Sequence, residues 1–374
     1  MSTLRDNPEV VYGAVLAVVI VVLLTPVVGN VARILGVVDR PGGRRVHERI
    51  VPKLGGLALF FGIIIPALAL VDFSTEMRGL LLGATVATAV GAIDDFRGLV
   101  WWEKLAGQIG AAAIPVASGI WIDHFTLPFV GVHELSPWVG KPLTVLWIVG
   151  IMNMVNFLDG LDGLAAGVCS ISGATFAVIE LSLGKPQAAI ISAIVFGACL
   201  GFLRHNFYPA RIFMGDSGAM LLGFVLATVA VEGLLKTAAT VALFFPLLVL
   251  AVPIFDTGFV VARRLKYGQP ITAPDREHLH YRFLRLGFSQ RRTTVIIWLW
   301  CATLAGAALA TRFIPFRDGG EWHLWPTLAV AAIGLVAVLA SVVIVYALEI
   351  VKLANPRIRR REAREREIEQ RKSA

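Results

Sequence analysis

Adjacent carboxylates end one of the apolar stretches of this sequence, in the segment GAIDDFRGL, which contains Asp94 and Asp95. Two neighbouring carboxylates repel each other, and the partial negative charge of a helix C-terminus adds to that repulsion. A bound cation would relieve both effects. The alternative is a helix stop whose carboxylates face water or pair with Arg97 or Lys104.

A second polar group lies in NFLDGLDGLAAG, which contains Asn156, Asp159 and Asp162. On a helical turn this spacing would place oxygen atoms on one face. Oxygen-only ligands suit Mg²⁺ or Mn²⁺. The alternative for Asp162 is an N-cap of the helix that follows it.

A third group, Asp216 and Ser217 in FMGDSGAMLLG, begins another apolar stretch. The first N–H groups of a helix have no partner within the helix, so this position is suited to binding a phosphate. The alternative is an ordinary N-cap, which for Ser217 is the interpretation we favour.

A fourth group, PDREHLHYR, lies in a long polar segment and carries Asp275, Arg276, His278, His280 and Arg282. The histidine spacing would permit zinc, but no cysteine or third close histidine completes such a site. A phosphate-binding loop fits these residues better. A loop that only sets membrane topology would explain the arginines but not the two histidines.

The composition is that of a membrane protein. Of 374 residues, 57% are hydrophobic and 16% are charged, whereas soluble domains carry roughly a quarter charged residues. The mean hydropathy is +0.75 and the pI is near 9.7. The basic residues lie in short connecting segments and in the tail, which indicates contact with anionic lipid headgroups and not with nucleic acid.

Long apolar stretches position these groups. About eleven of them approach the roughly 20 residues that a bilayer crossing needs, near 9–35, 53–71, 77–93, 103–121, 142–157, 163–183, 187–203, 217–235, 238–262, 293–312 and 325–351. We therefore expect an all-α polytopic membrane protein with one integral-membrane domain, 1–351, and a charged, helical cytoplasmic tail, 352–374. The segment 122–141 is predicted to form a small hairpin.

The distribution of Lys and Arg predicts the orientation. With the N-terminus outside, most of the 34 basic residues fall in inside segments, which also places the C-terminus in the cytoplasm. All four polar groups then lie on the cytoplasmic side, where we expect an active-site cleft. A transporter is the alternative from another class, but it would show acids near the bilayer midplane and internal repeats. Asp256 is the one candidate intramembrane acid, and it precedes Arg263-Arg264 by about two turns.

Six segments, in this order, resemble the polyprenyl-phosphate N-acetylhexosamine-1-phosphate transferase family, in its WecA/TagO-like branch: RRVHERIVPKLGGLA, GAIDDFRGL, NFLDGLDGLAAG, RIFMGDSGAMLLG, PIFDT and PDREHLHYR. The resemblance implies a bacterial inner-membrane enzyme with a cytoplasmic active site and Mg²⁺ or Mn²⁺. It implies transfer of a sugar-1-phosphate from a UDP-sugar to undecaprenyl or another polyprenyl phosphate, releasing UMP, as the first membrane step of cell-envelope glycan synthesis. A homodimer is left open.

The resemblance also implies roles for individual residues. Catalysis is carried over to Asp94, Asp95 and Asp159, and metal binding to Asp216 and Asp95. Nucleotide or sugar binding is carried over to Asn156, Asp162, Asp275, Arg276, His278 and His280, with Lys53, Asp256 and Arg282 as further candidates.

The chain departs from the family pattern at two positions. Gly98 stands where some members have a third aspartate, and Tyr281 stands where many have a second adjacent histidine. The histidine-bearing segment favours UDP-GlcNAc as donor. The alternative is UDP-MurNAc-pentapeptide, the donor of the peptidoglycan branch, whose members have three consecutive histidines there.

Overall fold

The computed structural model describes residues 2–40, 50–127, 131–235, 244–266, 268, 278–318 and 321–347. The described residues form mainly α-helices. These are α1 (Ser2–Arg5), α2 (Glu9–Ile34), α3 (Gly55–Leu70), α4 (Thr75–Arg97), α5 (Trp101–Ala117), α6 (Pro137–Leu158), α7 (Leu164–Ser182), α8 (Pro186–Asn206), α9 (Gly215–Val229), α10 (Phe244–Val249), α11 (Ala251–Lys266), α12 (Leu279–Arg285), α13 (Gln290–Phe313) and α14 (Leu324–Ala347). A π-helical segment, Ala230–Leu235, continues α9.

Among the described residues, eight helices are long and apolar enough to cross a membrane: α2, α4, α6, α7, α8, α9 with its π-helical continuation, α13 and α14. The most hydrophobic window of α9 is 94% buried in the protein, whereas that of α14 is 6% buried. The bundle is therefore built around α9, and α14 lies at its periphery with an apolar surface suited to lipid. The helix α3 is apolar but shorter.

Each of the eleven predicted stretches contains a helix, but the ninth prediction was wrong in one respect. Within 238–262 the described residues form two helices, α10 and α11, which are separated at Leu250. Pro253 has no N–H to donate to the carbonyl of Val249 four residues earlier, and the helix breaks there. The number of spans and their orientation stay predictions.

Three small antiparallel hairpins complete the described structure. The first pairs β1 (Val38–Asp39) with β2 (Val51–Pro52), the second pairs β3 (His124–Leu127) with β4 (Gly131–Glu134), and the third pairs β5 (Arg317–Asp318) with β6 (Glu321–Trp322). The second confirms the hairpin predicted within 122–141. The tail, 352–374, lies outside the described residues.

Glycines bring three helices together at the start of α9. A Cβ on Gly56 of α3 would lie 2.1 Å from the backbone nitrogen of Gly218, and a Cβ on Gly91 of α4 would lie 2.5 Å from Cα of Ser217. No side chain fits at such distances, so glycine is needed at both positions. This close packing places the end of α4 and the segment before α3 against the first turn of α9.

Candidate active site

The carboxylate of Asp94 lies in the last turn of α4, whose C-cap is Gly98 with a φ of 69°. Its Oδ1 accepts a hydrogen bond of 2.7 Å from the backbone N–H of Leu99. Its Oδ2 lies 2.9 Å from Nζ of Lys104 on α5. The ammonium of Lys104 thus neutralises this carboxylate, which the partial negative charge of the helix C-terminus would otherwise destabilise.

The ammonium group of Lys104 is the centre of the site. Besides Asp94, it contacts Oδ1 of Asp216 at 2.6 Å and Oδ1 of Asn156 at 3.3 Å. The sequence interpretation gave Lys104 no role beyond pairing with the Asp94-Asp95 group. Nothing in one sequence distinguishes a lysine near a helix start from the basic residues that set topology, so contacts with residues 52 and 112 positions away were not predictable.

Asp216 lies in the first turn of α9, where three elements of the bundle converge. Its Oδ1 also accepts a hydrogen bond of 2.5 Å from Nδ2 of Asn156, in the last turn of α6. Its side chain keeps 25% of its surface exposed, so it is open to a ligand. The structure therefore brings Asp94, Asn156 and Asp216 together, as expected from the shared membrane face.

Asp95 points the other way, into the protein. Its side chain has no exposed surface. Its Oδ1 accepts from the backbone N–H of Asp216 at 2.9 Å, and its Oδ2 accepts from the N–H and the hydroxyl of Ser217 at 3.0 and 2.9 Å. Nζ of Lys53 lies 3.6 Å from Oδ1. In this arrangement Asp95 caps α9 from another helix; its expected catalytic and metal-binding roles stay predictions.

These contacts correct two expectations about the start of α9. Ser217 is not the N-cap, because that position belongs to Met214 and the hydroxyl of Ser217 donates to Asp95 and to the carbonyl of Met214. The N–H groups of Asp216 and Ser217 are not free for a phosphate, because Asp95 accepts from both. The cap comes from 121 residues earlier in the chain, which local sequence rules do not detect.

The turn after α6 carries Asp159 and Asp162. Because α6 ends at Leu158, the expected single helical face for Asn156, Asp159 and Asp162 was wrong. Asp162 is not an N-cap either: Gly163 holds that position, with a φ of 74°, and Oδ2 of Asp162 accepts from the N–H of Ala210 at 2.8 Å.

Asp159 has an unusual electrostatic environment at the end of α6. Burial raises the pKa of its carboxyl well above the ordinary value, and the nearby carboxylates of Asp216 and Asp95 raise it further. The ammonium of Lys53 opposes that shift. A carboxyl group with a raised pKa beside other carboxylates is a typical proton carrier in active sites.

Two histidines approach this turn from α12 and the residue before it. The ring of His278 stacks on Phe157, with 5.2 Å between centroids, and lies 6.1 Å from the nearly parallel ring of His280. A Cβ on Gly160 would lie 2.2 Å from Nε2 of His280. Since Phe157 and Gly160 directly follow Asn156 and Asp159, the histidines lie beside the acidic site.

The environment of His280 is unusual for an imidazole. The residue is 1% exposed, and neither ring nitrogen has a hydrogen-bond partner among the described residues. Burial lowers the pKa of this ring to about 4. The ring centroid of Tyr281 lies 4.2 Å from that of His280, so Tyr281 packs against this imidazole.

The remaining candidates, from the fourth group and from the PIFDT segment, lie in different surroundings. Arg282 is buried, with its guanidinium 4.8 Å from the ring centre of Phe259. Oδ2 of Asp256 lies 3.0 Å from Nδ1 of His278. Asp275 and Arg276 lie outside the described residues.

The side chains around Lys104 suit a hard divalent cation. The oxygens of Asp94, Asn156 and Asp216 already converge on one positive group, and oxygen atoms are the ligands that Mg²⁺ and Mn²⁺ prefer. Within the described ranges, no three acidic, histidine or cysteine side chains enclose a metal position by themselves. The fit is therefore to a cation held by one or two protein oxygens and completed by phosphate and water, as is usual for Mg²⁺.

The fold and the site together define a class of protein. It is a polytopic helical membrane protein in which carboxylate, amide and ammonium side chains meet at the ends of several helices. Residues 77–234 match the family described as glycosyl transferase family 4. That segment includes Asp94, Lys104, Asn156 and Asp216, and it ends before His278 and His280.

Curated relatives extend the match beyond that segment. A Bacillus subtilis (strain 168) protein named "Probable undecaprenyl-phosphate N-acetylglucosaminyl 1-phosphate transferase" is 40% identical over 78% of this chain and 82% of its own length. A Mycobacterium tuberculosis (strain ATCC 25618 / H37Rv) protein named "Decaprenyl-phosphate N-acetylglucosaminephosphotransferase" is 36% identical over 81% of this chain and 82% of its own length. The Salmonella typhi "Undecaprenyl-phosphate alpha-N-acetylglucosaminyl 1-phosphate transferase" is 28% identical over 78% of this chain and 81% of its own length. The chain therefore belongs to glycosyl transferase family 4.

Proposed function

We propose that this protein transfers N-acetylglucosamine-1-phosphate from UDP-GlcNAc to a polyprenyl phosphate and releases UMP. The reaction takes place at the cytoplasmic face of a bacterial inner membrane and requires Mg²⁺ or Mn²⁺. The observation that carries the proposal is the contact of Lys104 with Asp94, Asn156 and Asp216 at the meeting ends of apolar helices. The names of the relatives support the sugar and the lipid.

The location of the site suits a reaction between a lipid and a water-soluble nucleotide. The polyprenyl tail stays in the bilayer while its phosphate reaches the surface, and the UDP-sugar arrives from water. The site lies at the ends of α4, α6 and α9, where the two substrates meet. Since both are anions, the protein must supply positive charge before they can approach each other.

Lys104 supplies a fixed positive charge at this point, and Lys53 supplies a second one beside Asp95. Asp216 would hold the divalent cation, with Asn156 orienting its carboxylate. When bound, that ion would neutralise charge on the donor diphosphate. Asp95 positions Asp216 by capping the helix that carries it. Catalysis of phosphoryl transfer then consists mainly of positioning and charge stabilisation.

The chemical step we favour is direct displacement. An oxygen of the lipid phosphate forms a bond to the β-phosphorus of UDP-GlcNAc, and the bond from that phosphorus to the oxygen of the α-phosphate breaks, so UMP leaves. Asp94 orients or deprotonates the lipid phosphate, and Asp159, with its raised pKa, is the second candidate proton carrier. A covalent intermediate on an aspartate is the alternative route.

Two other functions are less well supported. The relatives quoted above are all named for N-acetylglucosamine and none for muramoyl-pentapeptide, which disfavours the peptidoglycan reaction. A transporter would place ionisable groups near the middle of the bilayer, whereas Asp94, Asn156 and Asp216 lie at helix ends.

The test is a donor panel with purified protein, Mg²⁺ and polyprenyl phosphate, with UMP release as the readout. UDP-GlcNAc should be used well, and UDP-MurNAc-pentapeptide should not be used. Asp216→Asn should abolish release, whereas Asp72→Asn, which changes an exposed aspartate bonded to Gln187 at the other end of α3, should keep it. Full activity of Asp216→Asn would remove Asp216 from the site, and preference for the pentapeptide donor would overturn the proposed substrate.

A further inference from the structure

Asp256 of α11 is a buried acid with two separate hydrogen bonds to the start of another helix. The residue is 4% exposed. Its Oδ1 accepts from the backbone N–H of Leu279 at 2.7 Å, and its Oδ2 lies 3.0 Å from Nδ1 of His278. We propose that Asp256 is the positioning residue of His278: it fixes the ring proton on Nδ1 and anchors the first residue of α12. The inference rests on the proposed function and on the nucleotide- or sugar-binding role that the family resemblance implies for His278.

The chemistry of the two partners decides where the proton lies. An ionised carboxylate only accepts hydrogen bonds. The N–H of Leu279 donates to one oxygen, so the other oxygen is free to accept from His278. Nδ1 therefore carries the proton of the neutral ring, and Nε2 is its unprotonated nitrogen. The same relation holds between carboxylates and metal-binding histidines, where the partner fixes the tautomer.

The anchoring role follows from the local backbone. The helix α12 begins at Leu279, and its own N-cap, His278, makes no side-chain capping bond. Asp256 supplies the missing acceptor from another helix, which also places negative charge at the positive end of α12. Both contacts hold the ring of His278 in its stack with Phe157, directly after the Asn156 that bonds to Asp216. Asp256 thus acts on the active site through His278.

Asparagine at position 256 should reverse the tautomer without changing the shape of the side chain. Its single carbonyl oxygen can accept from the N–H of Leu279. Its amide N–H₂ then faces Nδ1 of His278 and donates to it, so the proton of the neutral ring must move to Nε2. Alanine, in contrast, removes both bonds. The two variants therefore separate the tautomer from the anchoring of α12.

The first measurement is the ¹⁵N spectrum of protein labelled at its 7 histidines. His278 is assigned by the signals that disappear in His278→Gln. For the neutral ring we expect a proton on Nδ1 and none on Nε2 in the wild type, and the reverse in Asp256→Asn. A proton on Nε2 in the wild type, or the same tautomer in both proteins, would overturn the proposal. Because this readout needs no turnover, it is independent of whether the proposed reaction is correct.

The second measurement is a double-mutant cycle on kcat and KM for UDP-GlcNAc with Asp256→Ala, His278→Ala and the double variant. If Asp256 acts through His278, the double variant loses no more activity than His278→Ala alone. We expect Asp256→Asn to lose roughly tenfold or more in kcat/KM, while its thermal stability stays close to that of Thr257→Val. This control removes a neighbouring buried hydroxyl that has no hydrogen-bond partner among the described residues. Additive losses would show that Asp256 acts independently of His278, and this outcome would contradict the positioning role even if the tautomer is as predicted.

Discussion

Protonation of His280 should destabilise the folded protein as the pH falls. The ring is 1% exposed, and neither nitrogen has a partner within the described part of the chain, so a charge there is neither solvated nor neutralised. Burial lowers the pKa of His280 from 6.5 to about 4. Below pH 6.5 the unfolded chain therefore binds a proton that the folded chain does not bind, and the free energy of unfolding decreases. The decrease levels off below the folded pKa.

The size of this effect follows from the two pKa values. At 1.36 kcal/mol per pKa unit, the full contribution is roughly 3 kcal/mol, and between pH 7.5 and pH 5 it is about 2 kcal/mol. In His280→Gln, which cannot be protonated, this part of the pH dependence should be absent. The matched control is His323→Gln, which removes an exposed histidine and should keep the wild-type decrease.

The assay is reversible unfolding in mixed micelles at pH 7.5 and pH 5, followed for the wild type and both variants. The quantity that matters is the difference between the two pH values within each protein, which removes any general effect of the substitution on stability. If the wild type and His280→Gln lose the same free energy of unfolding on acidification, the reasoning about a buried neutral ring is refuted.

Three further predictions concern the site. Lys104→Met leaves Asp94 and Asp216 without their shared cation and should reduce UMP release by about a hundredfold or more. Lys104→Arg keeps a positive charge and should retain part of the activity. Equal activity of the methionine variant and the wild type would exclude the role of the ammonium group. Gly160→Ala places a Cβ 2.2 Å from Nε2 of His280, which should cost about 1–3 kcal/mol of stability and most of the activity. Gly150→Ala is the control, because beyond its own helix the added Cβ would meet no described atom within 4 Å; it should have little effect in the same thermal and transfer assays. Treatment with EDTA should abolish transfer, and Mg²⁺ or Mn²⁺ but not Zn²⁺ should restore it. Undiminished UMP release in metal-free buffer would contradict the proposal that a divalent cation neutralises charge on the donor diphosphate.

The helices were predictable because each is an apolar stretch with polar ends, and the broken ninth stretch marks the limit of that signal. A window of hydrophobicity counts residues such as Pro246 and Pro253 as apolar, but the missing N–H of Pro253 ends the helix. The hairpin within 122–141 was predictable from its alternation, and the structure confirms it.

The site was predictable only in part. Asp94, Asn156 and Asp216 were recognisable as oxygen ligands at helix ends, and the structure brings them together. Lys104 was not predictable as their centre, because its contacts depend on how α5 packs against α4, α6 and α9. The cap that Asp95 provides for α9 also depends on packing, since it requires the close approach at Gly56 and Gly91. Local rules for N-caps consider only neighbours in sequence and therefore selected Ser217 and Asp162 incorrectly.

The most direct test of the proposed reaction follows the β-phosphate of the donor. Purified protein is incubated with Mg²⁺, polyprenyl phosphate and UDP-GlcNAc labelled at the β-phosphorus, and the lipid and aqueous phases are separated. Transfer of a sugar-1-phosphate predicts that the label enters the lipid and that one UMP is released for each labelled lipid formed. Release of UDP with the label in the aqueous phase would show transfer of the sugar alone, and it would contradict the function proposed for the site around Lys104.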